Sequence, residues 1–124
     1  MVKKKILIVD DELPIRVMMH QFFQLSGFET ATADDGEKAL KYLKTQVPDL
    51  VITDVLLPGM DGWNLCKIIK GDARMKGVPV LVLTGNTSAL EMLAYESKAD
   101  AYLPKPFSND KLLEIAKSLI YKRS

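Results

Sequence analysis

The chain is poor in several residue types on which whole classes of protein depend. Its 124 residues include one cysteine, Cys66, so no disulfide can form within the chain. The absence of a disulfide framework favours a reducing compartment, and we expect a cytoplasmic protein. Lysine plus arginine (17) nearly balance aspartate plus glutamate (16), which leaves a net charge of +1. Because neither sign dominates, the charge gives no reason to expect binding to nucleic acid or to an anionic membrane.

Long apolar runs are also absent. No stretch approaches the roughly 20 apolar residues that a membrane-spanning helix needs. The N-terminal lysines are followed by a short apolar run, Ile6–Val9, and then by Asp10 and Asp11. This run is too short for the apolar core of a signal peptide. We therefore expect no membrane-embedded segment.

The composition is that of an ordinary soluble globular domain, with 48% apolar and 27% charged residues. A chain of this length usually forms one domain and buries about two-thirds of its unfolded surface. No linker, low-complexity segment or repeat separates a second unit. We expect residues 1–124 to form a single domain, without an output domain.

Five short apolar or β-branched runs alternate with segments whose apolar residues recur every three or four positions. Such alternation favours βαβ units around a parallel sheet. Three of the runs are continuously apolar, as expected for strands that helices cover on both faces. We predict an α/β fold of the (βα)5 type, a doubly wound, flavodoxin-like sandwich with strand order 2-1-3-4-5. The predicted strands are centred on Ile6–Val9, Thr30–Ala33, Leu50–Thr53, Val80–Leu83 and Ala101–Leu103.

Side chains that can do chemistry follow four of these runs. Asp10 and Asp11 follow the first run, Asp54 the third and Thr84 the fourth, and Lys105 lies between two prolines after the fifth. The carboxyl ends of parallel strands share one edge of a sheet, where ligands of open α/β sheets bind. Three crowded carboxylates repel one another unless a cation or protons offset their charge. Because Mg²⁺ prefers oxygen ligands and retains several waters, the three acids are a candidate magnesium site.

Each of these residues also has a simpler interpretation. Asp10–Asp11 can be ordinary loop acids, Asp54 can be a turn former, and Thr84 can merely complete a strand. Lys105 can be a surface lysine. The flanking prolines favour a functional role for Lys105, because they restrict the backbone and fix the direction of its ammonium group. A lysine held in this way offers a compact charge that suits a phosphate group.

Together, the motifs resemble the receiver domain of two-component response regulators, the CheY-like superfamily. Each motif is common by itself, but all of them occur in order and each follows a predicted strand. The resemblance extends from about Lys4 to Ile120. The matching segments are Asp10–Asp11, Asp54–Gly62, Leu83–Gly85 and Lys105–Phe107.

The resemblance implies that Asp54 is the phosphoacceptor, whose carboxylate attacks a phosphohistidine on a histidine kinase or phosphotransfer protein. It also implies that Asp11, Asp54 and the backbone carbonyl of Leu56 ligate Mg²⁺, while Asp10 acts through a metal-bound water. Such a protein is a signalling phosphoacceptor and not an enzyme, although it assists its own phosphotransfer and dephosphorylation. The expected product is a labile acyl phosphate, so the domain would act as a timed switch.

The resemblance also implies which residues sense the phosphoryl group. Thr84 would donate its hydroxyl to one phosphoryl oxygen, and Lys105 would pair with another. Tyr102 matches an aromatic residue whose ring turns inward when Thr84 moves, and Lys105–Pro106 matches a cis peptide bond. The implied downstream partner is a protein. The chain would be a monomer or a weak phosphorylation-dependent dimer through the predicted fourth helix, fifth strand and fifth helix.

Several positions depart from the family pattern. Leu56 and Asn86 occupy positions that tune dephosphorylation, and we expect slow to moderate loss of the phosphoryl group because an aliphatic Leu56 cannot orient a water. Ser97–Lys98 replaces the small residue and glycine that usually precede the fifth strand. Leu56 also argues against an aspartyl phosphatase, which commonly has a second acid two residues after its nucleophile. The acidic loop after the first strand argues against a flavodoxin-like cofactor binder, because its charge would repel a phosphate.

A few further residues are predicted to have no role in the chemistry. His20 lies off the apolar stripe of the first helix and is predicted to be exposed. Cys66 is predicted to be an inert packing residue on the inward face of the third helix, and Trp63 is predicted to pack partially. Met92 and Tyr95, with Tyr102, form either an apolar patch that contacts a partner or part of the core.

Overall fold

Strands and helices alternate up to the fourth strand in the part of the chain that the structure describes, as the sequence predicts. The computed structural model describes residues 2–85 and 98–121. The strands are β1 (Lys5–Val9), β2 (Glu29–Ala33), β3 (Leu50–Asp54), β4 (Val80–Thr84) and β5 (Ala101–Pro104). The helices are α1 (Leu13–Leu25), α2 (Gly36–Leu43), α3 (Gly62–Gly71) and α4 (Asn109–Ile120). Helix α4 corresponds to the fifth predicted helix, and the predicted fourth helix lies outside the described residues. In the described ranges, no helix combines the length and the apolar character needed to cross a bilayer.

The five strands form one parallel sheet in the order β2-β1-β3-β4-β5, which confirms the predicted topology. The order reverses direction between β1 and β3, and this is the point at which doubly wound sheets bind their ligands. Asp54 pairs with Leu83 across β3 and β4, and Thr84 pairs with Pro104 across β4 and β5. The carboxyl ends of the central strands are therefore level with one another.

Both faces of the central strands are buried. One apolar cluster lies on the face of the sheet covered by α2 and α3, and a second lies on the face covered by α1 and α4. Along β1, Leu7 and Val9 face the first cluster, whereas Ile6 and Ile8 face the second. This arrangement explains the continuous apolar runs of the sequence, since neither face needs polar residues. Full burial of each such side chain contributes about 1.5–3 kcal/mol to folding.

The helices begin and end where local sequence signals place them. Asp35, Asp61 and Ser108 cap α2, α3 and α4, and each side chain accepts a hydrogen bond from the backbone N–H three residues later. Helix α1 differs, because its N-cap residue, Glu12, makes no side-chain capping bond. The chain leaves α1 through Gly27, which has a φ of 98°. Glycine adopts such positive values readily at the end of a helix.

Candidate functional site

The carboxyl edge of the sheet brings together side chains from four strand ends. Asp10 directly follows β1, Asp54 ends β3, Thr84 ends β4, and Lys105 directly follows β5. Asp10, Asp54 and Thr84 are almost fully buried, with 0%, 5% and 2% of their surface exposed. Buried polar residues of this kind are uncommon and need partners or a ligand. The edge therefore holds a concentrated set of polar groups.

Three carboxylates form a cluster at this edge. One carboxylate oxygen from each of Asp10, Asp11 and Asp54 lies within 4.8 Å of the other two. Asp11 is exposed, whereas Asp10 and Asp54 are buried. The Oδ1 atom of Asp10 accepts a hydrogen bond of 2.9 Å from the backbone N–H of Glu12. Its Oδ2 atom is buried and has no hydrogen-bond partner.

Burial raises the pKa of Asp10 from its ordinary 3.8 to about 6. Loss of hydration is the largest cause, because it disfavours the charged form. The hydrogen bond from Glu12 acts in the opposite direction, and the neighbouring charge of Asp54 raises the pKa further. Ionisation of Asp10 therefore costs more here than in water, and a nearby positive charge would offset that cost.

The cluster fits a hard divalent cation. Two oxygens on opposite sides of Mg²⁺ lie about 4 Å apart, because each Mg²⁺–O distance is about 2.0–2.1 Å. The three carboxylate oxygens lie within 4.8 Å of one another, which is close to that separation. The unpartnered Oδ2 of Asp10 is available to accept a hydrogen bond from a metal-bound water. Asp11 is exposed, which leaves room for such water. The role of the Leu56 carbonyl as a ligand stays a prediction.

A lysine pairs directly with the central acid of the cluster. The Nζ atom of Lys105 lies 2.8 Å from Oδ2 of Asp54. The backbone N–H of Lys105 donates to the carbonyl of Thr84 at 2.7 Å, and the Lys105–Pro106 bond is cis, as the resemblance implied. Burial alone would lower the pKa of Lys105, but the hydrogen bond from Lys105 to Asp54 and nearby negative charge raise it. Lys105 therefore remains a fixed positive charge at neutral pH.

The main chain of Asp54 is fixed from both sides. The hydroxyl of Thr53 donates to the Asp54 carbonyl at 3.0 Å, and the N–H of Gly62 donates to the carbonyl of Val55 at 2.8 Å. A Cβ atom at Gly62 would lie only 2.2 Å from the Asp54 carbonyl oxygen. Gly62 is not among the site residues that the sequence motifs predict, and this contact is a finding of the structure. A glycine at the start of a helix beside a site strand is a signal for such close approach.

The remaining predicted sensors lie on one face of the sheet. Thr84 and Val82 share a face of β4. Tyr102 on β5 is paired with Val82 on β4. Tyr102 is half-buried and packs against the apolar cluster on the α2 and α3 side. It therefore lies diagonally across from Thr84, two residue pairs earlier in the register.

Two predictions about residues remote from the chemistry were wrong. His20 is half-buried and its Nδ1 atom is hydrogen-bonded to the hydroxyl of Thr30 on β2. Trp63 is not partially packed, since only 4% of it is exposed. The predicted burial of Cys66 is confirmed, because the residue is fully buried in the core. Asn86, Met92, Tyr95 and Ser97 lie outside the described residues.

The comparisons with known proteins agree with the fold and the site. The family model of the response regulator receiver domain matches residues 6–117. The alkaline phosphatase synthesis transcriptional regulatory protein PhoP of Bacillus subtilis is 42% identical over 106 residues, which are 85% of this chain and 43% of PhoP. The chain thus spans about half the length of the curated relatives that it matches.

Solved structures match over nearly the whole chain. The chemotaxis response regulator CheY4 of Vibrio cholerae superimposes with a TM-score of 0.89 at 33% identity, covering 95% of this chain and 99% of CheY4. The response regulator TrrA of Thermotoga maritima, solved in complex with Mg²⁺-BeF, gives 0.84 at 36% identity, covering 94% and 98%. Sheet order, site and relatives agree, and the chain belongs to the receiver domains of response regulators, the phosphoacceptor domains of two-component signalling.

Proposed function

We propose that Asp54 is the residue of this receiver domain that accepts the phosphoryl group, from a phosphohistidine on a histidine kinase or phosphotransfer protein. The observation that carries the proposal is the 2.8 Å contact between Asp54 and Lys105, made beside the acidic cluster at the sheet edge. A buried carboxylate paired with a lysine, at the switch point of a doubly wound sheet, has the position expected of a reacting group.

In the proposed step, a carboxylate oxygen of Asp54 forms a bond to phosphorus while the bond from phosphorus to the donor nitrogen breaks. The leaving imidazole keeps the electron pair of that bond and takes up a proton. Phosphoryl transfer depends mainly on positioning and charge stabilisation. The ammonium of Lys105 supplies charge where the phosphoryl oxygens arrive, and Thr53 and Gly62 hold the main chain of Asp54 in place.

The cation site belongs to the same proposal. We assign Asp11, Asp54 and the Leu56 carbonyl as ligands of Mg²⁺, with Asp10 acting through a metal-bound water. When bound, the ion would neutralise negative charge on the phosphoryl oxygens. The residues support this assignment through the 4.8 Å cluster and the unpartnered Oδ2 of Asp10.

The phosphoryl group is then sensed by its neighbours. Thr84 donates its hydroxyl to one phosphoryl oxygen, Lys105 pairs with another, and Tyr102 follows the movement of Thr84. The hydrogen bond from Lys105 N–H to the Thr84 carbonyl couples the two sensing residues through their main chains. A shift of the domain from about 1:99 to 99:1 requires these contacts to favour the active form by about 5.5 kcal/mol.

We further propose a cytoplasmic location and a protein partner for this domain. The chain acts in the cytoplasm as a single receiver domain over residues 1–124, and it assists its own dephosphorylation. Its downstream partner is a protein, without direct binding of this domain to nucleic acid or membrane. It is a monomer or forms a weak dimer on phosphorylation, through the predicted fourth helix, β5 and α4. Several curated relatives are named as DNA-binding or transcriptional regulators, and they are about twice as long as this chain.

Intact-mass measurement tests the proposal. The protein is incubated with a small phosphodonor, with and without Mg²⁺. The wild type is expected to gain the mass of one phosphoryl group only with Mg²⁺, whereas Asp54→Asn gains none. Asp110→Asn is the matched control, because Asp110 is an exposed acid in the first turn of α4. An unmodified wild type, or equal gain in wild type and Asp54→Asn, contradicts the assignment.

A further inference from the structure

The side chain of Arg16 contacts the loop that contains Asp10, Asp11 and Glu12. The proposed phosphorylation step gives this contact no role. Arg16 lies in the first turns of α1 and is half-buried. Its Nη1 atom donates a hydrogen bond of 2.9 Å to the backbone carbonyl of Asp10. Its own backbone N–H donates to the carbonyl of Glu12 at 3.0 Å. One residue therefore holds both ends of the segment from Asp10 to Glu12.

This segment lacks one restraint that the segments before the other described helices have, a side-chain cap. Helices α2, α3 and α4 each begin with a side-chain cap, but the N-cap residue of α1, Glu12, makes none. The side chain of Asp11 is exposed, so packing does not fix its direction. The backbone of the loop must therefore aim the carboxylate of Asp11 towards the cluster, and Arg16 restrains that backbone.

The charge of the guanidinium also acts on the loop that follows β2. The pKa of Asp34 is lowered, first by its hydrogen bond from Lys38 and further by the charge of Arg16. Asp34 directly follows β2, where the carbonyl of Ala33 accepts a hydrogen bond from the N–H of Asp10. The charge of Arg16 therefore acts on the second loop, while its hydrogen bond at the cluster is to the main-chain oxygen of Asp10.

We propose that Arg16 is a positioning residue of the cation site, which acts by holding the Asp10 carbonyl and thereby aiming the carboxylates of Asp10 and Asp11. The inference rests on the proposed function, because the cation site is part of it. Residues that orient metal ligands from outside the coordination shell commonly change metal affinity about 10–100-fold when they are removed. Loss of the Arg16 contact is expected to weaken binding at the lower end of this range, about tenfold.

Manganese binding provides a direct readout that does not depend on phosphorylation. Mn²⁺ is paramagnetic and shares the preference of Mg²⁺ for carboxylate and water ligands. The free Mn²⁺ signal in electron paramagnetic resonance gives its dissociation constant, and competition gives that of Mg²⁺. The variants are Arg16→Met, which keeps the apolar stem, and Arg16→Lys, which keeps the charge and one donor.

A matched control exists in the same chain. Arg74 also donates from its guanidinium to a backbone carbonyl, that of Leu43 at the end of α2, and it takes no part in the acidic cluster. Arg16→Met is expected to weaken Mn²⁺ and Mg²⁺ binding about tenfold, Arg16→Lys to recover part of the loss, and Arg74→Met to leave binding unchanged. Urea unfolding in the presence of a chelator verifies that each variant is folded.

Unchanged cation affinity in Arg16→Met, or an equal loss in Arg74→Met, would overturn the inference. If Arg16→Met fails to fold, Arg16→Lys decides, and affinity equal to that of the wild type in this variant shows that the guanidinium geometry has no role. Failure of the proposed function is distinguishable, because the wild type itself would then bind no Mn²⁺ and accept no phosphoryl group. A wild type that does both, with Arg16→Met unaffected, overturns the positioning role alone.

Discussion

The backbone of Gly62 lies directly against the carbonyl oxygen of Asp54. A Cβ atom at position 62 would approach that oxygen to 2.2 Å, a distance at which backbone must move. Gly62→Ala is expected to destabilise the fold by about 1–3 kcal/mol, as for other overpacked sites. It should also slow phosphorylation of Asp54, because either α3 or the end of β3 must shift. Urea unfolding and the rate of mass gain with a phosphodonor measure the two effects.

The same helix supplies the control. Gly71 ends α3, and a Cβ atom there would meet nothing within 4 Å. Gly71→Ala is expected to be neutral or stabilising by up to about 1 kcal/mol, because alanine favours the helix. A Gly62→Ala variant as stable and as reactive as Gly71→Ala would contradict the role of the close contact.

Lys98 adopts a left-handed backbone conformation, which is unfavourable for a residue that carries a Cβ atom. Its φ is 62°, in the turn before β5. The following Asp100 anchors this turn, since its Oδ2 accepts a hydrogen bond from Val80 N–H at 2.8 Å and pairs with Lys70 at 2.6 Å. Lys98→Gly should raise the free energy of unfolding by about 0.5–1 kcal/mol, because relief of a left-handed cost of about 1–2 kcal/mol exceeds the added entropy of glycine.

Lys76→Gly is the matched substitution, at an exposed lysine whose φ is not positive. It is expected to lower the free energy of unfolding by about 0.5–1 kcal/mol. Urea titration of both variants compares the signs directly. Destabilisation by Lys98→Gly to the same extent as by Lys76→Gly would show that position 98 carries no strain.

Asp10 makes stability depend on pH with a defined sign. Its pKa is raised from 3.8 to about 6 in the fold, so the folded state holds the proton more tightly than the unfolded state. Without metal, the stabilising contribution of protonated Asp10 is therefore lost as pH rises from about 4 to 6. The free energy of unfolding falls by at most about 3 kcal/mol over this range. Asp10→Asn should remove this loss, and urea unfolding in a chelator at about pH 5 and about pH 7.5 measures it.

Magnesium should reverse the trend in the wild type, because a metal site needs its carboxylates deprotonated. The gain in unfolding temperature on adding Mg²⁺ is expected to be largest above about pH 6 and to fade as pH falls below it. Asp10→Asn should show a much smaller gain at every pH. An equal gain in the two proteins would exclude Asp10 from the cation site.

Leu56 stands two residues after Asp54, with 76% of its surface exposed. Its aliphatic side chain cannot hold a water in line with the acyl phosphate, whereas an amide can. Leu56→Asn is expected to accelerate release of inorganic phosphate from the phosphorylated protein, and Leu56→Ala to change it less. A time course of phosphate release measures both, and an unchanged rate in Leu56→Asn would disprove this effect.

The sequence predicts the sheet and the convergence of the site residues because their signals are local. Continuous apolar runs fix the buried strands, and caps such as Asp35 and Ser108 mark the starts of helices. Once the strand order is assigned, the positions of Asp54 and Lys105 at strand ends follow from the topology. Each inference needs only neighbouring residues and the rule that parallel strands end at a common edge.

Contacts that depend on how two neighbouring elements pack are not visible in the sequence pattern of either element. His20 has polar neighbours along its own helix, so its contact with Thr30 on β2 is invisible in the helix pattern. The close approach of Gly62 to Asp54 depends on how α3 packs against β3. The hydrogen bond from Arg16 to the Asp10 carbonyl likewise depends on the direction in which the Arg16 side chain extends from its helix. Periodicity carries no information about these distances.

Reductive trapping of the acyl phosphate tests the central claim most directly. Borohydride reduces an aspartyl phosphate to homoserine, while free carboxylates are left intact. The wild type, phosphorylated with Mg²⁺ and a small phosphodonor, is reduced, digested and sequenced by tandem mass spectrometry. We predict homoserine at position 54 alone and no conversion without Mg²⁺; homoserine at Asp10 or Asp11, or none at Asp54, would contradict the assignment of the phosphoacceptor.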